Sequence, residues 1–198
     1  MNHMNINKTS RRRFLRSAYA IAIGSVAFGF DVSGPSSQKK SKEEVFKELD
    51  GLVDKYLPFF GTCSQTTFHA LNETFNLEAD NIVRALSSFP GIAFRGETCG
   101  AVSGCLLGIA LVYEEDDPEA KPNQRLSKTP STNFCSKFES EFGTTRCRDV
   151  IAHTTGKAYS ISQPEDYELL SRDGVYKHCP EVIKKALHDA AEIILKKA

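Results

Sequence analysis

The run "GETCGAVSGCLLGIALVY", residues 96–113, constrains the fold more than any other stretch of this chain. From Gly100 to Tyr113 it carries no charge, and its glycines recur every fourth residue, at Gly100, Gly104 and Gly108. That spacing puts all three on one face of a helix. Each glycine costs a helix about 1 kcal/mol against alanine, so a neighbouring backbone should approach that face closely enough to compensate. An uncharged helix of this kind is a buried one, and it needs other helices around it.

The rest of the chain supplies them. Ser41 and Glu44 form a capping box, after which Val45, Phe46, Leu49, Leu52, Val53, Tyr56 and Leu57 fall at helical spacing to about residue 60. A second helix is expected over 63–75, with Phe68, Leu71 and Phe75 inward. A short third starts near Asp80, its N-cap candidate, and carries Ile82, Val83 and Leu86 before Pro90 stops it. Residues 114–133 hold no core material and read as a long solvated loop. Its "EEDD" (114–117) lacks the alternating spacing of a calcium loop. Phe134, Phe138 and Phe142 then recur every fourth residue up to Gly143. A short helix follows over 146–153, residues 154–176 read as irregular, and a last helix runs from Cys179–Pro180 to the end. Its inner stripe is Val182, Ile183, Ala186, Leu187, Ala190, Ile193 and Ile194. Strand patterns are nearly absent. The expected fold is all-α, a single bundle of six to seven helices over 41–198.

The chain's formal net charge is zero, but it is unevenly spread. Residues 1–30 carry Lys8, Arg11, Arg12, Arg13 and Arg16 and no acid, leaving 20 basic against 25 acidic side chains in the rest. A mildly acidic body excludes a nucleic-acid partner, which requires a basic face. "SRRRFLRS" (10–17) followed by the uncharged "AYAIAIGSVAFGF" (18–30) is an export signal, too short to span a membrane. The paired arginines before Phe14 and Leu15 resemble a twin-arginine signal. That resemblance implies the Tat translocation machinery as a partner, and folding, often around a cofactor, before export to a periplasmic or other extracytoplasmic location. A general secretory signal rich in arginine is the alternative. "SVA" (25–27) is a weak cleavage site, which leaves an uncleaved anchor open. Residues 31–40, "DVSGPSSQKK", form a linker.

Six cysteines in an exported chain ordinarily mean three disulfides, with 15 possible pairings. A domain of this size does not need them to fold, so the thiols invite a second explanation. A thiolate is the nucleophile and the metal ligand, and helix N-termini stabilise it through free N–H groups. Cys63, Cys99, Cys147 and Cys179 each stand at an expected helix start, Cys147 behind the possible caps Thr144 and Thr145. Cys105 lies mid-helix as a small buried hydrophobe, and Cys135, between phenylalanines, reads as core or as a fifth helix-start thiol. The four stand 36, 48 and 32 residues apart, and no CxxC or CxxCH occurs. Zinc ribbons, local dithiols and covalent haem are thereby excluded. Any site must be assembled from four helices, as bundles do. Glu97, just before Cys99, reads as a capping or first-turn acid favoured by the helix dipole, with a supporting group behind Cys99 as the alternative. His69, His153 and His188 sit in helical context without catalytic company, and His178 beside Cys179 is a substitute ligand candidate.

"TCSQTTFHAL" (62–71), "GETCGAVSG" (96–104), "FESEFGTTRCRDV" (138–150) and "HCPEVI" (178–183) together resemble the C-GCAxxG-C-C family of redox-active proteins. The resemblance covers about residues 60–195 and implies a helical redox domain whose four cysteines are Cys63, Cys99, Cys147 and Cys179. A related domain of split-Soret cytochromes c, in which the cysteines look like iron–sulfur ligands, implies a 2Fe–2S or 4Fe–4S cluster. Lacking the haem-attachment motif, the chain is expected to hold no haem. The leading expectation is an exported electron-transfer protein with an iron–sulfur cluster on these four cysteines, Gly100 letting the backbone approach it. A thiol–disulfide redox protein and a disulfide-stapled helical binding domain are the alternatives, with a zinc site on the four cysteines behind them. An acid–base or nucleophilic hydrolase has no support. The redox partner and the oligomeric state are not specified.

Overall fold

The Ser41 hydroxyl accepts from the Glu44 N–H while the Glu44 carboxylate accepts from the Ser41 N–H at 2.7 Å, so the first helix begins with the capping box its sequence spells. Ser41→Ala should cost about 1 kcal/mol, read as a small drop in denaturation midpoint with an unchanged m-value. The computed structural model describes residues 40–114, 126–159 and 164–197. The segment read as an export signal, residues 1–30, and all of the expected linker except Lys40 lie outside these residues.

Eight α-helices follow in chain order, and no strand occurs among the described residues. They are α1 (Lys42–Phe60), α2 (Cys63–Phe75), α3 (Asp80–Ala85), α4 (Gly100–Tyr113), α5 (Lys128–Phe142), α6 (Cys147–Thr155), α7 (Pro164–Arg172) and α8 (Cys179–Leu195). The glycine helix α4 is the centre of the bundle, packed on α2, α5 and α8, with α1 closing over α2 and α8. Val45, Leu49 and Val53 of α1, Leu71 of α2, Ile109 of α4 and Ile183, Leu187 and Ile194 of α8 are buried in one core. None of the helices in the described residues is long and apolar enough to cross a membrane.

The glycine face of α4 meets α2. A Cβ on Gly104 would lie 2.9 Å from the Ser64 carbonyl oxygen and 3.0 Å from the Phe68 nitrogen. One on Gly108 would lie 2.6 Å from Leu71 Cδ1, and one on Gly100 2.3 Å from Cys63 Sγ. The backbones are therefore in direct contact, and the burial this allows offsets the lost helix propensity.

Four sequence expectations need correction. The helix of the phenylalanine stripe starts at Lys128 rather than near 134, because Pro130 sits in its first turn, where proline is tolerated. Pro130 is buried and extends the stripe of Phe134, Phe138 and Phe142 by one step. Within the stretch read as irregular, Pro164 starts α7, which buries Leu170, and Val175–His178 form a 3₁₀ turn. Asp80 is the first residue of α3 and not its cap: its carboxylate accepts from the Asn72 amide at 2.6 Å, while the Asn72 carbonyl oxygen accepts from the Ala79 N–H. Finally, α3 ends at Ala85, well before Pro90. After a 3₁₀ turn at Leu86–Ser88, residues Gly91, Ile92, Ala93 and Phe94 form a left-handed turn with φ of 53°, 48°, 55° and 61°.

Candidate redox site

Cys63, Cys147 and Cys179 are the first residues of α2, α6 and α8, and Cys99 is the N-cap of α4. Two of these starts are stitched together by backbone. Cys99 N–H donates to Thr145 O at 2.8 Å, Cys147 N–H to Glu97 O at 2.5 Å, and Arg148 N–H to Gly96 O at 3.1 Å. Thr98 and Arg146 form the bridge of this short antiparallel contact. Gly100 brings in the third start, since its bare Cα leaves room for Cys63 Sγ. The 3₁₀ turn Val175–His178 delivers the fourth.

All four cysteines line one small cavity of about 30 Å³, together with Val150, Ile151 and Val182. Three of them, Cys63, Cys147 and Cys179, also line an adjoining cavity of about 310 Å³. All six cysteines of the chain are free thiols. Cys105 is fully buried in α4 and Cys135 half-buried within α5, so Cys135 is not a helix-start thiol. Neither lines these cavities.

The helix-start setting does not leave the thiols acidic. Burial is the largest influence on Cys63 and pushes its thiol well up, with the charges of Cys99, Cys179 and Cys147 pushing the same way. Burial also raises Cys99, against the N–H groups of Ala101 and Val102, and raises Cys147. Cys179 is pushed up to about 12 by burial and then by Cys99. Helix ends do point at these sulfurs, but desolvation and mutual repulsion outweigh them. With no metal bound, the four are neutral thiols at pH 7.

This has a measurable pH dependence. A thiol in an unfolded chain loses its proton near pH 8.5, whereas folded Cys179 keeps it to about 12. Above about 8.5 the native state holds more protons than the unfolded one, so the stability contributed below that pH is lost as pH rises towards 12. Metal-free, reduced protein should therefore melt at progressively lower temperature across this alkaline range. In Cys179→Ala the slope should be shallower.

The residue types and spacing of this site are those of a described family. The family model "putative redox-active protein (C_GCAxxG_C_C)" matches residues 61–193. The chain belongs to that family. No curated protein and no solved structure matches it. The C_GCAxxG_C_C match runs from the residue before Thr62 into the last turns of α8, and so contains every helix start that carries a site cysteine.

Glu97 does not cap the glycine helix of this C_GCAxxG_C_C chain. Its carboxylate faces Arg148 at 3.5 Å and Arg146 at 4.0 Å, tying the two stitched segments together. His178, the N-cap of α8, lines the small cavity with the four cysteines. The other histidines among the described residues are packing residues. His69 lies edge-on to Tyr56, His188 stacks on Phe46 and meets Asp50 at 2.8 Å, and His153 lies against Phe142. Sequence reasoning missed Tyr176, Phe94 and Leu170, which line the larger cavity. Position beside "HC" could have pointed to Tyr176 and position before the glycine run to Phe94, whereas Leu170 carried no such signal.

Among the described residues, no group of three or more His, Cys, Asp or Glu side chains is set to hold a single metal ion. One tetrahedral ion would draw four thiolates to about 3.8 Å from one another. A cluster takes its four thiolates further apart, on different iron atoms. The donor set here, four free thiols around one cavity with Cys63 Sγ packed against the bare Cα of Gly100, matches a cluster's ligands in number and type.

Proposed function

We propose that this protein is an exported electron-transfer protein that holds an iron–sulfur cluster on Cys63, Cys99, Cys147 and Cys179. The observation that carries the reading is the convergence of four free thiols, from four helix starts, on one cavity. The family description, redox-active, is consistent with it. A bound cluster supplies one-electron chemistry. The chain's own part is to hold the ligands in place through the 96–99 and 145–148 stitch, and to exclude water with Val150, Ile151 and Val182. Gly100 keeps side-chain bulk away from Cys63. No haem is part of the proposal. Loading requires the thiols to release their protons, so affinity should rise with pH.

The arginine-rich leader supports delivery by the Tat translocation machinery, which exports folded proteins, to a periplasmic or extracytoplasmic place with an unidentified redox partner protein. A thiol–disulfide role is the weaker reading, because thiols raised by burial are poor nucleophiles at neutral pH. The test is anaerobic purification from a host that keeps the native export route, followed by visible absorption, iron and acid-labile sulfide. Iron and sulfide in matching amounts are expected. A colourless, iron-free protein with oxidised cysteines would overturn the proposal.

A further inference from the structure

Beyond the four-cysteine cavity lies the adjoining one of about 310 Å³, in which no described wall residue carries a charge. Leu57, Pro90, Phe94, Ile151 and Leu170 give it apolar sides. Ligand pockets of a few hundred Å³ with apolar walls and a few convergent polar groups are the usual form of a small-molecule site. Here those polar groups are the thiols of Cys63, Cys147 and Cys179, the Thr62 hydroxyl and the Tyr176 phenol. Thr62 already donates its proton to Gln65 Oε1 at 2.8 Å. Thiols are weak donors, so Tyr176 supplies the strong O–H of this cavity. Phe94 and Tyr176 are 42% and 40% exposed, which puts both residues at the rim of the cavity.

A second feature marks the same rim. Gly91 to Phe94 hold four consecutive left-handed φ values, including the β-branched Ile92 at 48°, a conformation that L side chains adopt at a cost. It persists because backbone bonds pin it: Phe94 N–H donates to Pro90 O at 2.8 Å, and Glu97 N–H to Gly91 O at 2.9 Å. Gly91 itself is pressed against the chain, with a Cβ there only 2.9 Å from the Gly96 nitrogen. Backbone strain of this kind concentrates at ligand clamps. The turn presents Phe94 to the cavity.

We infer that this cavity binds an uncharged, two-ring aromatic carbonyl compound, its rings between Phe94 and the Leu57–Ile151–Leu170 wall, its carbonyl oxygen accepting from Tyr176. The absence of charge among the described wall residues favours a neutral ligand, since a buried unpaired charge is expensive. The volume is about twice the roughly 150 Å³ of an apolar cavity that holds benzene, which sets two rings rather than one. The phenol calls for an acceptor on the ligand. Such a molecule would lie against Cys63, Cys147 and Cys179, so the inference adds a small-molecule partner to the proposed redox site without depending on what the thiols hold.

The probe is 1-tetralone, which has the two rings and the carbonyl but does not alkylate thiols, titrated calorimetrically into the full chain, with and without iron. Saturable one-to-one binding is expected, together with none for naphthalene-2-sulfonate. Tyr176→Phe should weaken tetralone about fivefold to tenfold, as loss of one hydrogen bond would, and leave tetralin, which lacks the carbonyl, unchanged. Leu57→Trp, at a partly buried position on the wall, should weaken both by more than about tenfold by filling the cavity. Far-UV circular dichroism checks that each variant is folded. No saturable binding of tetralone by the wild type would overturn the inference. So would equal binding of the sulfonate, or tetralone affinity unchanged in Tyr176→Phe. Iron content is read on the same samples, and an iron-free protein that still binds tetralone would sink the cluster proposal while leaving this one standing.

Discussion

Gly104→Ala should destabilise the protein by about 2–3 kcal/mol, although helix propensity alone argues for a gain. Alanine is favoured over glycine inside a helix by about 1 kcal/mol. At Gly104, however, the new methyl would sit 2.9 Å from the Ser64 carbonyl oxygen, 2.9 Å from Thr67 Cβ and 3.0 Å from the Phe68 nitrogen. Two of these are backbone atoms of α2 and have no rotamer to escape into. Overpacking of this kind costs about 1–3 kcal/mol for the forced shift, and the shift also parts α2 from α4 along their whole contact. Gly51 is the matched control, lying in α1 with nothing within 4 Å of its missing Cβ. Gly51→Ala should therefore gain most of the propensity, up to about 1 kcal/mol. Urea denaturation of the two variants gives opposite signs if the close helix pair is real. A Gly104→Ala protein as stable as wild type would mean that α2 and α4 do not touch through backbone.

That helix pair was legible in the sequence because a four-residue glycine repeat has few other physical causes. The helix starts at Cys147 and Cys179 were legible for a similar reason, since Gly143 and Pro180 punctuate them, but the caps expected at Thr144 and Thr145 are not used: the N-cap of α6 is Arg146, without a side-chain cap bond. Two things were not. Helix α7 was hidden because its apolar residues, Leu169 and Leu170, stand side by side and leave no periodic stripe to find. The thiol acidity was misjudged because a helix N-terminus is a local property, readable from neighbours in sequence, whereas burial and three other cysteines depend on the tertiary fold. The larger cavity is tertiary in the same sense. Leu57, Phe94, Leu170 and Tyr176 come from separate segments of the chain and share no motif.

Cys99→Ser and Cys105→Ser, six residues apart in sequence, should fail in opposite ways. Cys99 lines the four-cysteine cavity, and Cys105 lies in the core without reaching it. If the proposed cluster sits on the four, Cys99→Ser should lower iron content and visible absorption to below about a tenth, since even changes behind a ligand cost tenfold to a hundredfold in affinity. The metal-free fold should change little, because a serine at an N-cap is favourable. Cys105→Ser should keep its iron and colour. It should lose about 1–3 kcal/mol instead, because it buries a hydroxyl in an apolar place, and Cys105→Ala should recover part of that loss. Iron content and melting temperature thus separate a ligand from a packing residue. Equal iron in both serine variants would remove Cys99 from the ligand set, whatever the cluster proves to be.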